Sequence, residues 1–150
     1  MVAQATIEDF LSQKKMAVIG ASRTGNKIGN SVLKELPAKG YTLFPVHPQM
    51  EYVGDAKCYP SATALPEPVD AAFIAVSPVK SINAVKDAHA AGITKLWIQQ
   101  GAQSEESLQY CADNNIQVVS GECIFMHVEP VESIHKFHRF FRKLFGRMPR

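Results

Sequence analysis

Five short apolar runs, most of them followed by a segment with helical spacing, constrain this chain more than any other feature of its sequence. The runs are Lys15–Gly20, Tyr41–Pro48, Val69–Pro78, Thr94–Gly101 and Ile116–Gly121. They do not alternate apolar with polar residues, so each reads as a strand buried on both faces. Strands of that kind, alternating with helices, predict a doubly wound parallel five-stranded α/β sheet with right-handed crossovers. In such sheets ligands bind beyond the carboxyl ends of the strands, where strand order reverses. The stretches to inspect are therefore 21–28, 47–50, 77–79 and 99–103.

The helical segments carry ordinary signals. Thr6, with Asp9 three residues on, reads as the cap of a first helix whose apolar face holds Ile7, Phe10 and Leu11. A second helix runs from about 29 to 36 and is stopped by Pro37 and Gly40. Internal Pro45 marks the second run as an edge strand or a strand end. Residues 51–68 read as mostly irregular. A third helix, 79–92, closes on Gly92, and a fourth starts at cap Ser104 with Glu105 and Glu106 in its first turn. The last helix, about 130–146, is basic and amphipathic. Ile134, Phe137, Phe141 and Leu144 form one face, and Lys136, Arg139, Arg142, Lys143 and Arg147 fill the rest. Packing on the domain, across a homodimer or against a protein partner is the first reading of that helix, contact with an acidic membrane surface the second, and a nucleic-acid backbone the remaining alternative.

The loop after the first strand, "GASRTGNKIG", carries glycines at 20, 25 and 29. It is not the dinucleotide fingerprint, whose first two glycines are two residues apart. It is not a Walker loop either, because Asn26 precedes Lys27 and Ile28 stands where Ser or Thr would bind magnesium. The physics of a phosphate cradle remains. Gly20 permits a tight turn, Ser22, Thr24 and the next helix's free N–H groups can donate, and Arg23 and Lys27 add positive charge. A glycine-rich turn with solvated basic residues is the plainer alternative. The second strand ends in Val46-His47-Pro48-Gln49, without the acid that holds a ribose diol in NAD-binding folds.

In order and separation, "AVIGASRTGNKIGNSVLKEL", "GYTLFPVHPQMEYVGDAKCYPS", "LPEPVDAAFIAVSP" and "LWIQQGAQSEES" resemble the CoA-binding domain family over about 15–123. That family includes small single-domain proteins and the CoA-binding domains of succinyl-CoA and ADP-forming acetyl-CoA synthetases. The resemblance implies that Gly20, Ala21, Ser22, Arg23, Thr24 and Lys27 line the site of the CoA diphosphate. It places His47 and Pro48 beside the adenosine and its 3′-phosphate. The family's usual V-N-P becomes Val46-His47-Pro48 here, and imidazole is bulkier than the amide but still a hydrogen-bond donor. By the same resemblance Val76, Ser77 and Pro78 pack on the adenine or the pantetheine arm, and Gln100 and Gly101 lie near the emerging thiol.

The expectation that follows is a single CoA-binding domain over 1–150, with a core of about 5–123, that takes CoA or an acyl-CoA. It acts as carrier, sensor or partner module and has no catalysis of its own. The synthetases' phosphohistidine domain is not expected, since 150 residues leave no room for it. The alternative on the same fold is a small NAD(P)- or nucleotide-dependent enzyme. Cys123 stands past the fifth strand at the ligand edge, where it is either a packing residue or a thiol able to exchange with that of CoA. Cys58, Cys111, His89 and Trp97 read as ordinary packing or loop residues.

Composition narrows the class. A net charge of +2 sets up no strong field for nucleic acid, so no specific nucleic-acid partner is expected. Three cysteines without metal-site spacing point to a reduced, cytoplasmic chain and to no bound metal. No apolar run approaches the ~20 residues of a membrane span, and the N-terminal residues hold no apolar signal core.

Overall fold

The computed structural model describes residues 3–22, 25 and 27–128. The basic helix expected over 130–146 lies outside the described residues, as do Arg23 and Thr24.

Each apolar run supplies one strand of a five-stranded, all-parallel sheet. The strands are β1 (Lys15–Ile19), β2 (Thr42–Val46), β5 (Ala71–Ile74), β6 (Lys95–Gln99) and β7 (Gln117–Glu122), in spatial order β2-β1-β5-β6-β7. The helices are α1 (Gln4–Leu11), α2 (Ile28–Glu35), α3 (Pro78–Ala90) and α4 (Glu105–Asp113). Alternate residues of the strands feed two separate cores. Met16, Val18, Phe73, Trp97 and Val119 pack with Ile7 and Phe10 of α1 and Val32 of α2. Ala17, Ile19, Ala72, Ile74, Leu96 and Ile98 pack with Val85 and Ala88 of α3 and Cys111 of α4. The sheet is thus sandwiched between two helical layers, a Rossmann-like arrangement, and double-sided burial explains the continuous apolar runs.

Pro45 lies on the edge strand, as its sequence position suggested. Its carbonyl accepts the Tyr59 N–H at 2.9 Å, on the side away from β1. N–H and C=O of one strand residue point the same way, so the missing proline N–H also faces outward and costs the ladder no bond to β1. Trp97 is fully buried, meets the Phe10 ring at a tilt of 56° with centroids 5.4 Å apart, and donates its Nε1–H to the Glu122 carbonyl at 3.1 Å. His89 Nδ1 meets the Tyr110 hydroxyl at 2.8 Å and ties α3 to α4. Both are packing residues, as expected.

Three readings need correction. Thr6 does not cap α1, because the helix starts at Gln4 after Ala3, and the Thr6 N–H already bonds the Ala3 carbonyl at 3.1 Å. Pro78 is the first residue of α3, where its missing N–H is harmless, so that helix starts one residue early. Residues 51–68 are not merely irregular. They hold a small antiparallel hairpin, β3 (Tyr52–Val53) and β4 (Ala56–Lys57), and a 3₁₀ turn at Ala62–Ala64. Ser104 caps α4 as expected. Its Oγ accepts the Ser107 N–H at 3.0 Å, and Ser107 Oγ accepts the Ser104 N–H at 3.0 Å.

Candidate functional site

The chain goes from β1 out to β2 on one side and then crosses back to β5 on the other. Strand order therefore reverses between β1 and β5, and the crevice there is the default ligand site of such sheets. Two glycines build its floor. Gly20 has φ +130°, and a β-carbon on it would lie 2.2 Å from the Ala75 carbonyl oxygen. A β-carbon on Gly29 would lie 2.8 Å from the Gly20 carbonyl oxygen. Backbone therefore rests on backbone at both places. The first turn of α2 is drawn against the end of β1, and β1 against the end of β5, with the Ala75 N–H bonded to the Ile19 carbonyl at 2.8 Å. Gly25 differs, since a β-carbon there would meet open space.

Asn30 holds the loop closed, a role not read from the sequence. Its Oδ1 accepts the Ser22 N–H at 2.9 Å and the Lys27 N–H at 3.4 Å, and its Nδ2 donates to the Ser22 carbonyl at 3.0 Å. Ser22 Oγ also reaches Asn30 Oδ1, at 3.3 Å. The Ser22 donors expected to face phosphate are therefore engaged by Asn30. The Asn30 N–H bonds the Lys27 carbonyl at 3.0 Å, which among the described residues leaves the Ile28 and Gly29 N–H groups at the start of α2. Lys27 stands exposed at the helix entrance, and among the described residues no carboxylate pairs with it. Ala21 is buried and contributes only backbone.

At the end of β2 the His47 N–H bonds the Tyr59 carbonyl at 2.9 Å, and His47 Nδ1 accepts the Gln49 N–H at 3.0 Å. The neutral ring then carries its proton on Nε2. His47 and Pro48 line an open cavity of about 450 Å³, whose wall also includes Tyr52, Lys57 and Cys58. Beyond β5, Val76 is half-buried, and Ser77, in extended backbone, precedes Pro78.

Gln100 and Gly101 are exposed in the turn after β6. The Gly101 N–H donates to Gln103 Oε1 at 2.9 Å, and the Gln100 N–H to the Glu122 carbonyl at 3.1 Å. Cys123 is half-buried just past β7, at the same carboxyl edge. Ala75 brings the β1 loop and the β5 end into one crevice. Gln100–Gly101 and Cys123 lie two and three strands from β1, so Cys123 is set off by about 14 Å of sheet. Cys58 and Cys111 are buried. Burial pushes the Cys58 thiol up, and that of Cys111 up to about 11. Among the described residues no cluster of three His, Cys, Asp or Glu could hold a metal, and no helix is long and apolar enough to cross a membrane.

A parallel sheet of this order, with Gly20 and Gly29 packed backbone to backbone at its switch point, defines a Rossmann-like α/β domain. A family model described as a CoA binding domain matches residues 14–129, and the chain belongs to that family. It is 32% identical over 131 residues to acetate–CoA ligase [ADP-forming] I of Archaeoglobus fulgidus, covering 80% of this chain and 19% of the ligase. Acetate–CoA ligase [ADP-forming] II of the same organism is 40% identical over 78 residues, 51% of this chain and 11% of the ligase. The chain thus spans a fifth or less of these curated relatives. Among solved structures, a conserved hypothetical protein from Pyrococcus furiosus matches with a TM-score of 0.69 at 38% identity, over 74% of this chain and 96% of that one.

Proposed function

We propose that this chain binds coenzyme A or an acyl-CoA at the β1/β5 switch point and acts as a carrier, sensor or partner module without catalysis of its own. The observation that carries the reading is the backbone contact of Gly29 on Gly20, which aims the first turn of α2 at the end of β1 in a member of the CoA-binding family. The Ile28 and Gly29 N–H groups and Lys27 then face the diphosphate, with Arg23 and Thr24 on the same loop. His47 Nε2 and Pro48 stand by the adenosine, and Val76–Pro78 and Gln100–Gly101 follow the pantetheine arm. Two imidazoles at this edge already have protein partners. His47 Nδ1 is engaged by Gln49, and His127 Nε2 is paired with Glu122 at 3.1 Å.

Calorimetric titration tests the assignment. CoA is expected to bind more tightly than NAD, because the end of β2 lacks a carboxylate to hold a ribose diol. Lys27→Ala is expected to weaken CoA by about tenfold, since a charge-assisted hydrogen bond contributes roughly 1.5–3 kcal/mol. NAD binding as tightly as CoA refutes the ligand. An unchanged Lys27→Ala affinity moves the diphosphate off this loop.

The cysteines give an independent check. Incubation with CoA disulfide should modify Cys123 before Cys58 or Cys111. The Cys123 thiolate would attack one sulfur of the disulfide, forming a mixed disulfide and releasing CoA thiolate. The other two thiols are buried and held protonated by that burial. Peptide mapping reads the outcome, and labelling that skips Cys123 leaves it a packing residue.

A further inference from the structure

The hairpin beyond β2 carries a pair of residues that the site described so far does not use. Tyr52 and Lys57 are direct cross-strand partners in the antiparallel β3–β4 ladder, so both side chains leave the same face of the hairpin. Both line the cavity of about 450 Å³ that His47 and Pro48 close from the β2 side. Tyr52 is 59% exposed, one of two large apolar side chains among the described residues left so open to water. Lys57 is exposed as well. Its Nζ lies 5.6 Å from the Tyr59 ring centroid, and among the described residues no carboxylate pairs with it.

An open aromatic ring beside an ammonium group that has no carboxylate partner among the described residues, around a cavity large enough for a nucleoside, is suited to a ligand with a flat base and a phosphate monoester. A base stacks on the ring whatever its edge chemistry, and the ammonium and an imidazole N–H meet the phosphate. Glu51, on the cavity wall, is exposed to solvent, where its charge is screened.

We infer that the β3–β4 hairpin is the element that distinguishes CoA from its 3′-dephosphorylated form. Tyr52 stacks on the adenine, and Lys57, together with His47 Nε2–H, holds the 3′-phosphate. The inference rests on the CoA reading above and adds the residues that select the ribose phosphate. Tyr52 and Lys57 stand on the exposed surface of a short hairpin, so their replacement leaves both cores intact.

The test is titration of CoA and dephospho-CoA into the wild-type chain and into Lys57→Met, Tyr52→Ala and Tyr52→Phe, with a thermal melt of each. Wild type should prefer CoA over dephospho-CoA by about tenfold or more. Lys57→Met should lose most of that preference by weakening CoA alone. Tyr52→Ala should weaken both ligands about tenfold, and Tyr52→Phe should bind like wild type, because stacking needs the ring and not the hydroxyl. If wild type binds CoA and Lys57→Met keeps the full preference, the hairpin has no such role and the CoA assignment stands. If the wild type binds neither ligand, the CoA reading fails and this inference with it.

Discussion

Gly20→Ala is expected to lower the melting temperature by on the order of 10 °C and to abolish measurable CoA binding in the protein that remains folded. Two costs act together. The new β-carbon would lie 2.2 Å from the Ala75 carbonyl oxygen, which is backbone and has no rotamer to move into. The residue would also be held at φ +130°, a conformation that side chains rarely adopt. Overpacking and backbone strain of this kind cost about 1–3 kcal/mol each, and a kcal/mol moves the melting point of a domain this size by several degrees. To relieve the overlap β1 and β5 must part at the ligand edge, which pulls the loop away from the crevice. Gly25→Ala is the control, since its β-carbon meets nothing within 4 Å and only the φ of +76° opposes it. Equal melting points for the two variants would show that the Gly20 contact is not a constraint.

Asn30→Asp should separate affinity from stability. The carboxylate keeps the acceptor for the Ser22 and Lys27 N–H groups but loses the 3.0 Å donation to the Ser22 carbonyl. It also sets a negative charge in the first turn of α2. For the empty protein that charge is favourable, because an acid at a helix start complements the dipole. For a bound diphosphate it is repulsive. That repulsion amounts to about 2–3 kcal/mol, or roughly a hundredfold in affinity, while the lost hydrogen bond and the favourable dipole contact act in opposite directions on the melting point and leave it near that of wild type. Asn30→Ala removes the clasp without adding charge and should fall between. Calorimetry of the three proteins gives the order, and identical affinities for Asp and Asn at this position would put the diphosphate elsewhere.

The sheet was legible in the sequence because burial on both faces leaves runs such as "MAVI" and "AAFI" with no polar interruption, and Pro45 even marked the edge strand. The crevice at the strand reversal between β1 and β5 followed from topology alone. Gly20 and Gly29 stood out by position, although the loop matches no standard fingerprint, because a tight turn and a close helix contact both demand glycine. Asn30 was not legible. Its function depends on Ser22, eight residues away, folding back over the helix start, and one amide in a first turn predicts no such return. Thr6 misled for the opposite reason: a good capping residue lost to two further residues that also adopt helix. The hairpin did carry a signal. Gly54-Asp55, with Gly54 at φ +57°, joins two strands by a two-residue turn, but two-residue strands offer no periodicity to confirm it.

The contact of Gly20 with Gly29 and Ala75 has a kinetic consequence. Three backbone segments meet with no side chain between them, so the floor of the crevice has no slack to take up when a ligand arrives. A preformed floor needs no closing step, and little ordering of it is left to oppose association. Loading should then proceed in one phase, at a rate proportional to ligand concentration and nearly the same for CoA and its close analogues. Differences among ligands and loop variants would be recorded in how long each complex survives.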